Sequence, residues 1–174
     1  MPPALPRALS RFWAWYGRHY ALNVALAAML FVLQIVHLVW LGSEVVAQRA
    51  TGDALFHVGG VFRYVLIFVD WTEIPALISA TTLYLYELRT GFRWKPVLFL
   101  VLLNSQYLHI FWITDELVVR DTIGESSLPG WLAWIAILID YLEVPVIIDT
   151  VRKTVSEIRE KGLREVVQGE PAKS

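Results

Sequence analysis

Two short patterns of polar residues each occur twice in the chain. The pattern Gln-x-x-His-x-x-Trp places its histidines at positions 37 and 109, and the pattern Asp-x-x-Glu-x-Pro begins at Asp70 and again at Asp140. Imidazole nitrogens and carboxylate oxygens together suit iron, zinc and manganese. The sequence therefore predicts a metal site formed by six side chains: His37, Asp70, Glu73, His109, Asp140 and Glu143.

The two copies of each pattern lie at a constant separation along the chain. Every residue of the histidine pattern recurs 72 residues later, and every residue of the carboxylate pattern recurs 70 residues later. Self-similarity of this kind indicates a duplicated unit. We assign residues 20–89 to repeat 1 and residues 90–159 to repeat 2. Residues 1–19 form an N-terminal flank on the cytoplasmic membrane surface, and residues 160–174 form a cytoplasmic tail.

Long apolar runs carry these polar patterns. The chain is 56% hydrophobic, above the roughly 45–50% of soluble domains. Four runs, at residues 20–41, 62–85, 96–113 and 131–151, approach the roughly 20 helical residues that cross a bilayer. We therefore expect an all-α membrane protein, a four-transmembrane-helix bundle made of two tandem two-helix repeats with pseudo-two-fold symmetry.

Charged residues predict the orientation of this bundle. Lys and Arg concentrate in the N-terminal flank, in the connection that contains Arg89, Arg93 and Lys95, and in the tail. The positive-inside rule then places both termini in the cytoplasm of a multi-pass protein of the cell (inner) membrane. The net charge of −1 offers no attraction for nucleic acid, and the absence of Cys excludes thiolate chemistry.

Helical periodicity predicts how the polar residues meet. Residues three positions apart share a helix face, so each His points with its preceding Gln, and each Asp with its following Glu. We expect Gln34 and Gln106 to support the ligands or bind water, and Trp40 and Trp112 to wall the site. Proline removes a backbone donor, so the helices should kink near positions 75 and 145. The two repeats differ further along their second helix, where Ser79 of repeat 1 corresponds to Asp149 of repeat 2. We interpret Asp149 as a solvated helix end.

Four carboxylates carry a charge of −4, which two divalent ions would neutralise. Two histidines and four carboxylates also resemble the ligand set of the di-iron and di-manganese carboxylate four-helix bundles, although the Glu-x-x-His motif of that family is absent here. The resemblance implies a dinuclear metal centre of iron, zinc or manganese. It also implies redox or oxygen chemistry on a small or lipophilic substrate, as in a metal-dependent oxidoreductase.

Other functions use the same residues. The cluster could be a proton, ion or metal transporter, or polar residues that only hold the helices together. Zinc would favour hydrolysis. A haem between His37 and His109 is a further alternative, although four carboxylates beside it would be hard to neutralise. The lipid bilayer is the expected partner. An apolar stripe on the C-terminal helix, which includes Val155 and Ile158, could lie on the inner membrane surface or mediate oligomer formation.

Overall fold

The computed structural model describes residues 4–56, 59–114 and 130–162, and these residues form helices and short connections with no strand among them. The helices are α1 (Ala4–Arg18), α2 (Tyr20–Trp40), α3 (Ala47–Thr51), α4 (Val61–Trp71), α5 (Glu73–Thr90), α6 (Trp94–Thr114), α7 (Gly130–Tyr141) and α8 (Val144–Lys161). A π-helical segment, Leu41–Val46, joins α2 to α3. The predicted all-α class is confirmed. The C-terminal residues from 163 onward lie outside the described part of the chain.

The long helices form a ring. α2 packs beside α5 and α8, and α6 packs beside α5 and α7. Each sequence repeat therefore pairs its own helices, and the contacts of α2 with α8 and of α5 with α6 join one repeat to the other. This arrangement brings the faces that carry the polar patterns toward one another.

Both repeats break their second long helix at matched positions. α4 ends at Trp71 and α5 begins at Glu73, while α7 ends at Tyr141 and α8 begins at Val144. Tight backbone turns bridge both gaps, with the Thr72 amide donating to the Val69 carbonyl at 2.9 Å and the Leu142 amide to the Ile139 carbonyl at 2.9 Å. Proline follows each break within the first turn of the new helix, where a missing amide donor costs little.

Three helical stretches among the described residues are long and apolar enough to cross a membrane: Tyr20–Thr51, Tyr64–Thr90 and Trp131–Lys161. Helix α6, which covers the predicted third span, is not among them. The first stretch continues ten residues beyond the predicted limit at position 41, because the helix passes through the π-helical segment without a break.

The surface and interior of the ring have an unusual polarity. Large apolar side chains lie on the outside, including Met29 at 58% exposure, Val39 at 63% and Leu138 at 63%. Ionisable side chains lie inside, where the two polar patterns meet. An apolar exterior around buried polar groups is compatible with a lipid environment.

Two apolar clusters flank the polar interior. The larger one includes Phe31, Leu77, Tyr84, Leu103 and Ile147, so it draws on both repeats. The smaller one consists of Ala133 and Ala136 with Val45 packed against them. The polar interior is therefore bounded by densely packed large side chains on one side and by small side chains on the other.

Helix α1 lies against the C-terminal part of α5. Trp13 stacks on Tyr86 with ring centroids 6.1 Å apart, Tyr16 also contacts Tyr86, and Arg89 sits over the Trp13 ring at 5.7 Å. The remaining face of α1 exposes arginines and the apolar side chains of Leu9, Phe12 and Trp15. This amphipathic pattern suits a helix at a membrane surface.

Candidate metal site

The repeated polar residues converge in the interior of the ring. All six predicted ligands and both glutamines are buried, with at most 7% of any of them exposed. Buried charges require partners or a bound cation, because desolvation costs several kcal/mol per ion. The residues of this polar cluster are Gln34, His37, Asp70, Glu73, Gln106, His109, Asp140 and Glu143.

The imidazole of His37 lies between two carboxylates from different repeats. Its Nδ1 contacts Oδ1 of Asp70, and its Nε2 lies 3.1 Å from Oδ2 of Asp140. A neutral imidazole has one N–H donor and can serve only one of these carboxylates. The second contact needs a proton, either on Nε2 or on the carboxyl group, or a metal ion bound by both atoms.

His109 approaches the same aspartate from the other side. Its Nε2 lies 3.6 Å from Oδ1 of Asp140, and its Nδ1 lies 3.3 Å from the backbone carbonyl of Ala136. The two imidazole rings are 5.6 Å apart and nearly perpendicular. Both histidines therefore present Nε2 to Asp140 and have Nδ1 next to an oxygen acceptor.

This arrangement can hold a metal ion. His37, His109 and Asp140 each offer a ligand atom, and these atoms all lie within 4.8 Å of one another. Histidines that ligate metals usually donate the other ring N–H to a carboxylate or a backbone carbonyl, which fixes the tautomer and the ring orientation. Asp70 and the Ala136 carbonyl occupy those supporting positions here.

The sequence predicted Asp70 as a ligand equivalent to Asp140, but the two aspartates lie in different environments. Asp140 contacts both histidines, whereas Asp70 contacts His37 through the nitrogen that faces away from Asp140. The second carboxylate oxygen of Asp70, Oδ2, is buried and has no hydrogen-bond partner among the described residues.

Gln34 and Gln106 hold the broken helices. The Gln34 amide donates to the Val69 carbonyl at 3.2 Å and to the Thr72 hydroxyl at 3.1 Å. The Gln106 amide donates to the Ile139 carbonyl at 2.8 Å. Each glutamine therefore contacts the backbone next to one of the two aspartates.

Glu73 and Glu143 lie immediately after the two breaks. Glu73 begins α5 and Glu143 caps α8, and both are buried. They are outside the group formed by His37, His109 and Asp140. Oε1 of Glu73 and Oε2 of Glu143 are buried without a hydrogen-bond partner in the described part of the chain.

Trp40 lies next to the polar cluster. Its ring lies 5.6 Å from the His37 ring, and its indole N–H donates to Oε2 of Glu44 at 2.6 Å. Glu44 lies on the π-helical segment, a form of helix that often occurs at functional sites. The side chain of the predicted counterpart, Trp112, lies outside the described part of the structure.

Two features of the surroundings were missed by sequence reasoning. Oδ2 of Asp149 accepts hydrogen bonds from the Tyr84 hydroxyl at 3.0 Å and from Lys153 at 2.7 Å, and Oδ1 pairs with Lys95. Asp149 is therefore a buried, paired carboxylate, and its interpretation as a solvated helix end is wrong. Its mismatch with Ser79 was the signal in the sequence.

The second missed feature is the contact of Tyr141 with α2. Its hydroxyl donates to the Leu38 carbonyl at 3.3 Å. A Cβ added at Gly42 would lie only 2.7 Å from the same hydroxyl. Nothing in the sequence indicated this contact, because Trp71 stands at the matched position in repeat 1.

Comparison with known proteins gives no family. No protein-family model matches the chain, and no curated protein or solved structure shows significant similarity to it.

Proposed function

We propose that the chain is a membrane metalloprotein whose metal centre lies inside a bundle of four transmembrane helices. The observation that carries this proposal is the convergence of one ligand atom each from His37, His109 and Asp140 within 4.8 Å, with both Nε2 atoms facing Asp140. The oxygen acceptors beside both Nδ1 atoms support it, because they favour the tautomer in which Nε2 has the lone pair that ligates a metal.

Two histidines and one carboxylate form a donor set that leaves coordination positions open on a metal ion. Non-haem Fe(II) oxygenases use such a set, and zinc or manganese also accept it. The remaining carboxylates support a dinuclear centre, because two divalent ions neutralise the charge of −4. A haem between the two histidines is less compatible, since Asp140 lies between their Nε2 atoms.

The chemistry we propose is redox or oxygen chemistry on a small or lipophilic substrate. The exposed apolar side chains on the exterior support access from lipid, and the absence of Cys removes thiols that reactive oxygen species would oxidise. Zinc at the same position would instead lower the pKa of bound water and favour hydrolysis.

The test is elemental analysis of the full chain purified in detergent without chelator. We expect about two equivalents of iron, zinc or manganese in the wild type, by charge balance, and loss of the histidine-bound equivalent in His37→Ala/His109→Ala. The matched control is His19→Ala, because His19 lies on the N-terminal side of the bundle and its side chain contacts only Trp15 among the described hydrogen bonds and ring contacts. A wild type without stoichiometric metal would contradict the proposal.

Transport of protons, ions or metal is the second candidate. The buried carboxylate oxygens without partners in the described region favour it, because such groups can bind a cation transiently. A transporter should lose its metal on dialysis and carry ions or protons across liposomes. An enzyme should retain the metal and show no flux.

A further inference from the structure

The polar cluster contains two donor sets of different chemistry. The first combines imidazole nitrogens with a carboxylate and consists of His37, His109 and Asp140. The second contains oxygen only. It consists of the carboxylates of Glu73 and Glu143 and the side-chain carbonyl of Gln106, whose Oε1 is buried without a hydrogen-bond partner among the described residues.

Matched backbone features hold the second set. Glu73 and Glu143 each lie directly after a helix break, at positions 70 residues apart in the two repeats. The amide nitrogen of Gln106 donates to the Ile139 carbonyl at 2.8 Å and lies 3.4 Å from the Asp140 carbonyl, which also accepts from the Glu143 backbone amide at 3.2 Å, so Gln106 lies beside the break that carries Glu143. With its nitrogen committed to the backbone, the Gln106 oxygen remains available to a ligand.

The carboxylates around these oxygens favour a cation. The Glu73 carboxylate is within electrostatic range of Glu143, Asp140 and Asp70, and Glu143 is within range of Asp140. Among the residues that the structure describes, Lys95 and Lys153 pair with Asp149 and Glu87, and no Lys or Arg pairs with Glu73 or Glu143. One divalent ion at the histidine set would leave the two glutamates to be neutralised by a second cation or by protons.

We propose that Glu73, Glu143 and the Gln106 carbonyl form a second cation position that prefers a hard divalent ion such as Mn²⁺ or Mg²⁺. Carboxylate and amide oxygens favour hard cations, whereas imidazole favours zinc or iron. The centre then has two unlike positions that can be filled selectively. This inference rests on the proposed metal centre and specifies the ion class of its second position.

Selective loading tests the two positions separately. The full chain in detergent is stripped with chelator and desalted. It then receives one equivalent of Zn²⁺ and is titrated with Mn²⁺, followed by electron paramagnetic resonance of free Mn²⁺ and by elemental analysis. We expect the wild type to hold both metals. Glu73→Gln/Glu143→Gln should keep the zinc and lose the Mn²⁺, while His37→Ala/His109→Ala should lose the zinc and keep the Mn²⁺.

Controls separate folding from binding. Glu157→Gln/Glu160→Gln changes two glutamates near the end of α8, away from the cluster, and should bind both metals like the wild type. Glutamine is nearly isosteric with glutamate, and the single variant Glu73→Gln serves if the double variant does not give a monodisperse protein.

The outcomes distinguish this inference from the proposed function. A zinc-loaded wild type that binds no Mn²⁺, or an unchanged Mn²⁺ titration in Glu73→Gln/Glu143→Gln, overturns the second position, and the two glutamates then carry protons. A wild type that binds neither metal overturns the metal centre itself.

Discussion

The two histidines of the polar cluster have the same sequence pattern but different neighbours. His37 lies between Asp70 of its own repeat and Asp140 of the other repeat. His109 lies between Asp140 and the Ala136 carbonyl, both from its own repeat. Asp140 therefore contacts both histidines, and its counterpart Asp70 contacts only His37.

This difference shows how a duplicated unit can form an asymmetric site. The duplication supplies pairs of identical side chains, but a group of three residues cannot use both members of every pair. A second asymmetry lies at the other side of the larger apolar cluster. There Asp149 of repeat 2 accepts a hydrogen bond from Tyr84 and forms ion pairs with Lys95 and Lys153, whereas repeat 1 has Ser79 at the matched position. The two repeats are alike in ligand chemistry and unlike in what surrounds it.

The largest expected effect separates the two aspartates. Asp140→Asn removes the carboxylate that faces both histidines, so we expect stoichiometric metal to be lost after dialysis. Asp70→Asn keeps an oxygen that can accept from His37 Nδ1, and loss of such a supporting carboxylate typically weakens metal binding by about 10- to 100-fold. Metal content and zinc affinity by competition with a chelator measure both. Equal losses in the two variants would mean a symmetric site.

Asp149→Ser makes repeat 2 resemble repeat 1 at the second asymmetry. Tyr84 and Lys153 lose a buried acceptor, and we expect the free energy of unfolding to fall by about 1–3 kcal/mol. Lys95 adds little because its side chain is 62% exposed. Unfolding in mixed micelles, followed by circular dichroism, measures the change. Ser79→Ala is the control, and a similar loss in that variant would refute a specific role for Asp149.

Gly42→Ala tests the contact that Tyr141 of repeat 2 makes with α2. The new Cβ would lie 2.7 Å from the Tyr141 hydroxyl, so Tyr141 must move and lose its bond to the Leu38 carbonyl, at a cost of about 0.5–1.5 kcal/mol. In a Tyr141→Phe background the hydroxyl is absent. There Gly42→Ala should be neutral or stabilising by up to about 1 kcal/mol, because alanine favours helix more than glycine. A double-mutant cycle of unfolding free energies measures this coupling, and strict additivity would contradict the contact.

Thr72→Leu should give the smallest effect, because it introduces the residue that repeat 2 has at position 142. Gln34 loses the Thr72 hydroxyl but keeps the Val69 carbonyl, so its amide retains an acceptor. We expect a loss of about 0.5–1 kcal/mol in unfolding free energy and no change in metal content. A loss of metal in this variant would show that Thr72 has a role in the site that the geometry does not indicate.

The sequence by itself determined the helical class, the burial of the eight polar residues and the position of both helix breaks. These features follow from local rules. Continuous apolar runs require helices, residues three apart share a face, and a proline ends or starts a helix within one turn. The spacings of 72 and 70 residues also determine which side chains correspond between the two repeats.

Which of the matched side chains contact each other depends on the tertiary structure. Asp70 and Asp140 belong to the same sequence pattern, so no pattern could reveal that Asp140 reaches both histidines. The Ala136 carbonyl could not be foreseen, because a backbone oxygen carries no sequence signal. Such contacts depend on the rotation and shift of one helix against another, and a difference of a few ångströms changes which atoms touch. Identical repeats cannot encode that difference in their shared residues, so the packing between helices sets it.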